Sequence, residues 1–370
     1  MENKVSLFTP NGSQTIYFSD DQNIKVIDLV EGYDKIILVI DSRISEYEHS
    51  LKVINKLLES NKPVHIEYIT INNYTKNTQL MLLLLDAFAR VGMTRNSIAI
   101  AIGGGATCDL VGVTSSVYMR GIPYATIPTS YISMVDGVIS KVAINHGLNK
   151  NLVGAFNSPD WTYIDTKYVM NHMDRRRILH GLVEAWKHAI IECDGEKQQL
   201  INNIASKDVY DFEELINLAK WSMNIKAKYV LDDWRDSSGK QKQLSLGHTL
   251  ANYLEMVSQT HHAEAVCYGI LFESIISKEL GRISAIKLNK IFEMFNIFEN
   301  EFMNINNIKP LVSSLSLSGY LEKDKINAYN KITFVIPTDQ GSEVEDITKE
   351  DLANAISSFT SYENHIPMNI

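Results

Sequence analysis

The chain has 370 residues, 45% of them hydrophobic and 21% charged, with a formal net charge of −9. This length and composition predict a globular protein of two domains, and the acidic balance without a basic tract argues against nucleic acid as a partner. The apolar run Leu80–Leu85 is far too short to span a bilayer and the first residues show no charged-then-apolar leader, so no membrane partner and a cytoplasmic location are expected. Three scattered cysteines, Cys108, Cys193 and Cys267, fit free thiols in a reducing compartment, not a disulfide frame or a zinc knuckle.

In chain order, Val5–Phe8 and Thr15–Phe18 read as short strands around Pro10-Asn11-Gly12. KIILVIDSR (Lys35–Arg43) is an apolar strand ending in Asp41-Ser42. A helical segment to about Ser60 precedes the strand Val64–Ile71, then a loop and a helix reach Met93. The apolar run Ile98–Ile102 enters Gly103, Gly104 and Gly105, and the helix-compatible LVGVTSSVYM follows. Strand, helix, strand, helix, strand predicts an α/β Rossmann-like, doubly wound parallel sheet. Glycines between a buried strand and a helix let backbone N–H groups approach a phosphate at the helix's positive end. No Gly-Lys-Ser/Thr follows, and Cys108 stands where the third glycine of GxGxxG belongs. A tight turn without a ligand uses the same glycines, so the stretch alone leaves both readings open. Asp41, at a strand end, suits a nucleotide ribose or a turn cap equally.

Tyr124–Ile127 is a further strand, closed by Pro128-Thr129-Ser130. A glycine-punctuated stretch then carries Asp136, Lys141, Asn145, Lys150 and Asn151, and Trp161–Asp165 reads as the last strand of this half. From Thr166 the pattern turns to long helices, interrupted by one strand-like run, Lys331–Pro337. A boundary there divides the chain into residues 1–165 and 166–370. In HGLVEAWKHAI, Glu184 and Lys187 are three apart and share a helix face. A surface ion pair is the common fate of such a spacing, but the flanks Leu182, Val183, Ala185, Trp186, Ala189 and Ile190 favour a cleft. His248 follows a glycine in LSLGHTLANYLE, and His261 and His262 open THHAEAVCYG after its threonine. One carboxylate and two imidazoles suit a divalent metal with open positions, though spacing does not show that they converge.

GGGATCDLVG, YMRGIPYATIPTS, VDGVISKVAINHGLNKNLVGAF, GLVEAWK, GHT and HHAEAV keep one order between about Lys35 and Pro337. Together they resemble the 3-dehydroquinate synthase-like sugar phosphate cyclases. The resemblance implies an N-terminal Rossmann-like NAD-binding domain (1–165) and a mostly α-helical metal- and substrate-binding domain (166–370), with the active site between them. It implies NAD and a divalent metal, zinc or cobalt, a phosphorylated sugar as substrate, and a homodimer. By position, Gly103, Gly104, Gly105 and Asp109 would bind the NAD pyrophosphate and ribose region, with Asp41, Lys76, Thr129 and Ser130 around the rest. Glu184, His248 and His262 would ligate the metal. Asp136, Lys141, Lys150, Asn151 and Lys187 would hold substrate hydroxyls and phosphate, with Asp136, Lys141 and Lys150 also near the cofactor. Arg120 would reach the phosphate site of the neighbouring subunit, and Lys325 matches the first lysine of a DKK motif. The implied chemistry is transient oxidation, phosphate loss, reduction, ring opening and intramolecular aldol closure.

The chain departs from the 3-dehydroquinate synthase pattern at Asn73 (Glu in the pattern), Gln241 (Arg), Ser245 (Asn), Asn252 (His), Ala263 (Gly) and Ile326 (Lys). Loss of an arginine removes a bidentate contact to a carboxylate, which implies a substrate other than the shikimate-pathway heptulosonate. RGIPY and the missing second histidine look like the cyclases of sedoheptulose 7-phosphate. 2-Deoxy-scyllo-inosose synthase, acting on glucose 6-phosphate, is an alternative within the family. Two readings lie outside it: a degenerate NAD-binding structural or regulatory subunit, and a polyol or iron-containing alcohol dehydrogenase. The latter shares GGG-x-x-x-D but uses Asp and His ligands where Glu184 stands.

Overall fold

The computed structural model describes residues 4–10, 12–19, 25–137, 139, 141–147, 149–302, 304–313, 317, 319, 321 and 332–362. They form two units, Met1–Ile178 with Asp211–Arg235, and Leu179–Tyr210 with Asp236–Ile370. Among the described residues no helix is long and apolar enough to cross a membrane.

The first unit is built on a seven-stranded sheet of β1 (Lys4–Thr9), β2 (Gly12–Ser19), β3 (Ile36–Asp41), β4 (Val64–Ile69), β5 (Ile98–Gly103), β6 (Tyr124–Pro128) and β9 (Trp161–Asp165), in the order β1-β2-β9-β6-β5-β3-β4. Only β1 is antiparallel to its neighbour. The central strands are apolar throughout because both their faces are covered. Ile36, Leu38 and Ile40 turn to one side, against Val53, Ile54 and Leu57 of α1 (Glu48–Leu58). Ile37 and Val39 turn to the other, against Leu84 and Phe88 of α2 (Thr78–Val91) and Val111 of α3 (Gly105–Val117). That alternation makes the sheet doubly wound, as expected.

Trp161–Asp165, the last strand of this sheet in chain order, lies between β2 and β6. Before it comes a hairpin that sequence reading did not resolve, β7 (Lys141–His146) paired with β8 (Asn149–Phe156). Val142 and Ile144 pack into the α2–α3 side of the core. A Cβ on Gly112 of α3 would lie 2.6 Å from Val142, so this glycine admits the hairpin. The unit also contains α4 (Tyr131–Val135) and α5 (Thr166–His172). It is not one run of chain, because α8 (Phe212–Asp232), from the half read as helical, belongs to it.

α6 (Arg175–Ile191) enters the second unit at Leu179. There follow α7 (Gly195–Ala205), α9 (His248–Ser258), α10 (His262–Glu279), α11 (Ala285–Glu299), α12 (Ile305–Val312) and, after the hairpin of β10 (Ile332–Thr338) and β11 (Gly341–Ile347), α13 (Lys349–Thr360). α10 is buried from Ala263 to Ser277 and packs on α9, α11, α13 and β10. A helix covered on every side is the core of its unit. The strand-like run of this half is therefore β10, one side of a hairpin. β11 escaped notice because Glu343, Val344 and Asp346 are all exposed, which erases its two-residue period.

Candidate metal and nucleotide sites

In the second unit Glu184, His248 and His262 each offer a ligand atom, and these atoms lie within 4.8 Å of one another. Glu184 comes from the middle of α6, while the histidines are the first residues of α9 and α10. Two glycines bring those helix starts together. Gly247 has φ +82°, a left-handed turn into α9 that suits a residue without a Cβ. A Cβ on Gly269 of α10 would lie 1.8 Å from the Gly247 carbonyl oxygen, so no other residue permits this approach. Glu273, further along α10, accepts the Gly247 N–H and hydrogen-bonds Thr249, satisfying donors that a helix start leaves open. Burial holds the Glu273 carboxyl well above its usual range.

Hydrogen bonds orient both rings. His248 Nδ1 is 3.1 Å from the Leu246 carbonyl oxygen, and His262 Nδ1 is 2.8 Å from Glu255 Oε1. Those acceptors call for Nδ1–H, which leaves Nε2 as the atom of each ring that a metal ion would use. His262 Nε2 lies 3.5 Å from Glu184 Oε1, and Lys187 Nζ lies 2.6 Å from Glu184 Oε2. Glu184 and Lys187 are 0% and 1% exposed, so the surface-pair reading of their spacing does not hold. Burial raises the Glu184 pKa, but Lys187, His262 and His248 outweigh it and hold the carboxyl well below its usual range. Burial and then Lys187 push His248 down to about 4. A carboxylate and neutral imidazoles are what a divalent cation requires. Glu184 Oε1 is buried without a hydrogen-bond partner among the described residues, so the donor set fits a metal ion.

The neighbouring His261 has another task. It caps α10 by accepting the Ala263 N–H, and its ring stacks 3.8 Å from that of His180, whose Nε2 is 3.2 Å from Glu264 Oε1. Sequence reading passed over Glu255, although it lies seven residues after His248 and so on the same face of α9. A carboxylate behind a coordinating imidazole is worth about 10- to 100-fold in metal affinity. Glu255→Ala is expected to weaken zinc binding by that factor in a chelator-competition titration, and Glu255→Gln by less. Unchanged affinity in both would mean that packing alone fixes His262.

In the first unit the expected cofactor residues gather at the carboxyl ends of adjacent parallel strands. The winding reverses between β3 and β5, where such sheets open a crevice. Asp41 ends β3 and Gly103 ends β5. Of the two readings of Asp41, the structure displays the turn cap: its carboxylate accepts Arg43 N–H at 3.1 Å and is paired with the Arg43 guanidinium. Lys76, after β4, is buried and paired with Asp109 of α3. Thr129 N–H donates to Gly103 O at 2.9 Å, and Ser130 caps α4. A Cβ on Gly103 would lie 2.4 Å from Thr107 Oγ1, whereas one on Gly105 would meet nothing within 4 Å. Packing thus demands only the first of these two glycines, and the start of α3 is open to a ligand. A small cavity at the ends of β5, β6 and β9 is lined by Ile102, Pro128, Thr129, His49, Asp165 and Tyr168.

Asp136 ends α4 with Lys226 of α8 at 2.8 Å from Oδ1. Lys226 was not foreseen, because only the return of α8 to this unit brings it there. Lys141 and Lys150 stand on the β7–β8 hairpin with Asn151 (φ +51°). Arg120 is exposed on a left-handed turn of Met119, Arg120 and Gly121. Among the departures, Asn73 precedes Lys76 in its loop, Gln241 is buried in the second unit, and Ser245 lies just before the start of α9. Asn252 sits one turn after His248, and Ala263 follows His262. Lys325 and Ile326 lie outside the described residues.

A dinucleotide-type sheet joined in one chain to a helical unit with a Glu-His-His centre defines a class of protein, and comparison with known proteins specifies it. The 3-dehydroquinate synthase N-terminal family matches residues 67–180 and the 3-dehydroquinate synthase C-terminal family residues 181–325. The chain is 31% identical over 339 residues to a 3-dehydroquinate synthase of Alkaliphilus metalliredigens, covering 89% of this chain and 91% of that protein. It is also 31% identical over 342 residues to a bifunctional 3-dehydroquinate synthase/phosphatase of Fusobacterium nucleatum, covering 91% of this chain but only 50% of that longer protein. The chain belongs to the 3-dehydroquinate synthase family of sugar phosphate cyclases. Solved structures agree in fold. 2-Epi-5-epi-valiolone synthase from Streptomyces hygroscopicus, with NAD+ and Zn2+ bound, superposes with TM-score 0.78 at 19% identity over 93% of this chain and 96% of that one. A 2-deoxy-scyllo-inosose synthase complexed with carbaglucose-6-phosphate, NAD+ and Co2+ gives 0.79 at 20% identity over 95% and 99%.

Proposed function

We propose that this chain is an NAD- and divalent-metal-dependent cyclase that converts sedoheptulose 7-phosphate to a carbocycle with loss of phosphate. The observation that carries the proposal is the buried Glu184–His248–His262 donor set, with a lysine beside its carboxylate. In this reading residues 1–165 hold the nucleotide and residues 166–370 hold the metal. When bound, NAD supplies reversible hydride transfer and the metal polarises a substrate oxygen.

The chain's own groups do the rest. Gly104, Gly105 and the start of α3 offer N–H groups to the pyrophosphate, with Gly103 shaping the turn, Asp109 and Lys76 behind it, and Asp41, Thr129 and Ser130 beside it. Lys187, held by Glu184, keeps an ammonium where negative charge develops on a substrate oxygen. Lys141, Lys150, Asn151 and Asp136 bind hydroxyls and phosphate, Lys325 stands as the first lysine of the DKK motif, and Arg120 serves the phosphate site of a second copy in a homodimer. Gln241 is uncharged and cannot form the bidentate pair that an acid substrate needs, which favours a sugar phosphate without a carboxylate.

The test is phosphate release from sedoheptulose 7-phosphate, glucose 6-phosphate and the heptulosonate 7-phosphate, each with NAD and zinc or cobalt. Release from sedoheptulose 7-phosphate alone, without net NADH, is expected. Release from either other substrate alone reassigns the specificity. Release from none, by protein that binds no metal, favours a non-catalytic subunit.

A further inference from the structure

One side chain joins the Lys76 loop to the β7–β8 hairpin. Asn145 Nδ2 donates to Asn73 O at 2.7 Å, and its Oδ1 accepts the Asn151 N–H at 3.0 Å. Its backbone N–H donates to Lys76 O at 2.8 Å, and Asn145 forms a parallel bridge with Asn77. The hairpin register shifts between Ile144 and His146, a bulge that takes Asn145 out of the ladder and frees its groups for the loop. The loop is itself ordered by Asn72, whose Oδ1 accepts Tyr74 N–H at 2.8 Å and Thr75 N–H at 2.9 Å. Beyond it, Lys76 pairs with Asp109 of α3. A continuous polar chain therefore runs from the helix after the glycine turn, through Lys76 and Asn145, to Asn151.

We infer that Asn145 is a positioning residue that makes the Lys76 loop and the Asn151 end of the hairpin one body. In the proposed function, on which the role of this link rests, Lys76 serves the nucleotide and Lys150 and Asn151 serve the sugar phosphate. A hydride that leaves a carbon and later returns to it requires the two ligands to keep one separation throughout the cycle. An amide alone suits this position, since it donates and accepts at once. Aspartate would set a carboxylate oxygen against the Asn73 carbonyl, and alanine would remove both side-chain bonds.

Hydrogen exchange and turnover of Asn145→Ala and Asn145→Asp test the link. Without NAD, exchange in the segments spanning Asn72–Asn77 and Asn149–Phe156 is expected to quicken about tenfold in both variants. With NAD, the wild type should slow exchange in both segments and Asn145→Ala only in the first. In turnover, kcat should fall about tenfold or more while NAD affinity stays within roughly threefold, and enzyme-bound NADH should accumulate at 340 nm. Unaltered exchange over Asn149–Phe156, or a rate loss matched by lost NAD affinity, would overturn the inference. If the wild type binds no NAD, the proposed function fails, and the NAD-free exchange still decides whether Asn145 is the link.

Discussion

Purified His262→Ala and His248→Ala proteins are expected to carry no stoichiometric metal and to show no phosphate release, with the fold intact by circular dichroism. Each change removes a nitrogen of the proposed ligand set, so the loss of zinc affinity should exceed the roughly 100-fold that marks the upper range for an outer carboxylate. Glu184→Ala should lose metal as well, and its thermal stability should fall further than theirs. It removes the carboxylate 2.6 Å from the Lys187 ammonium, which is 1% exposed, and breaking a buried ion pair costs about 3–5 kcal/mol. Metal analysis and a thermal scan on the three variants separate these effects. Full metal content in any of them would remove that residue from the ligand set. Proton competition at His248 should not blur the measurement near neutrality in the variants that keep it. His248 is pushed down to about 4, so its ring stays neutral until the pH falls toward that value.

Gly269→Ala is expected to be the most damaging single methyl in the second unit. The added Cβ would stand 1.8 Å from the Gly247 carbonyl oxygen, and the atom it meets is backbone, with no rotamer by which to move aside. α9 and α10 must then part at the point where His248 and His262 face each other. Overpacking costs about 1–3 kcal/mol where side chains can shift, and this contact should reach or exceed the top of that range. Both the midpoint of thermal unfolding and the zinc affinity should drop. A variant with wild-type stability and metal binding would show that the helix starts need not be this close.

Strand rhythm, glycine turn and the six motifs were legible because they are local. A parallel strand covered on both faces must be apolar throughout, so Ile36–Ile40 and Ile98–Ile102 announce themselves. Family motifs likewise keep Glu184, His248 and His262 recognisable one at a time. Their convergence was not legible. It depends on two glycines, 247 and 269, that are 22 residues apart and meet only when α9 packs on α10. Lys226 escaped for the same reason, since a lysine in a polar helix has no meaning until α8 returns to the unit that holds Asp136. Glu255, Glu273 and Asn145 act through hydrogen bonds to partners on other segments, and such bonds leave no period in the chain. The amino-acid order was enough for the class of sheet, the helical second half and the chemical types at the site, because side-chain periodicity and glycine placement act over a few residues. Which carboxylate backs which imidazole, and which amide ties loop to hairpin, came only from tertiary packing, because burial and hydrogen-bond geometry are properties of contacts between segments far apart in sequence.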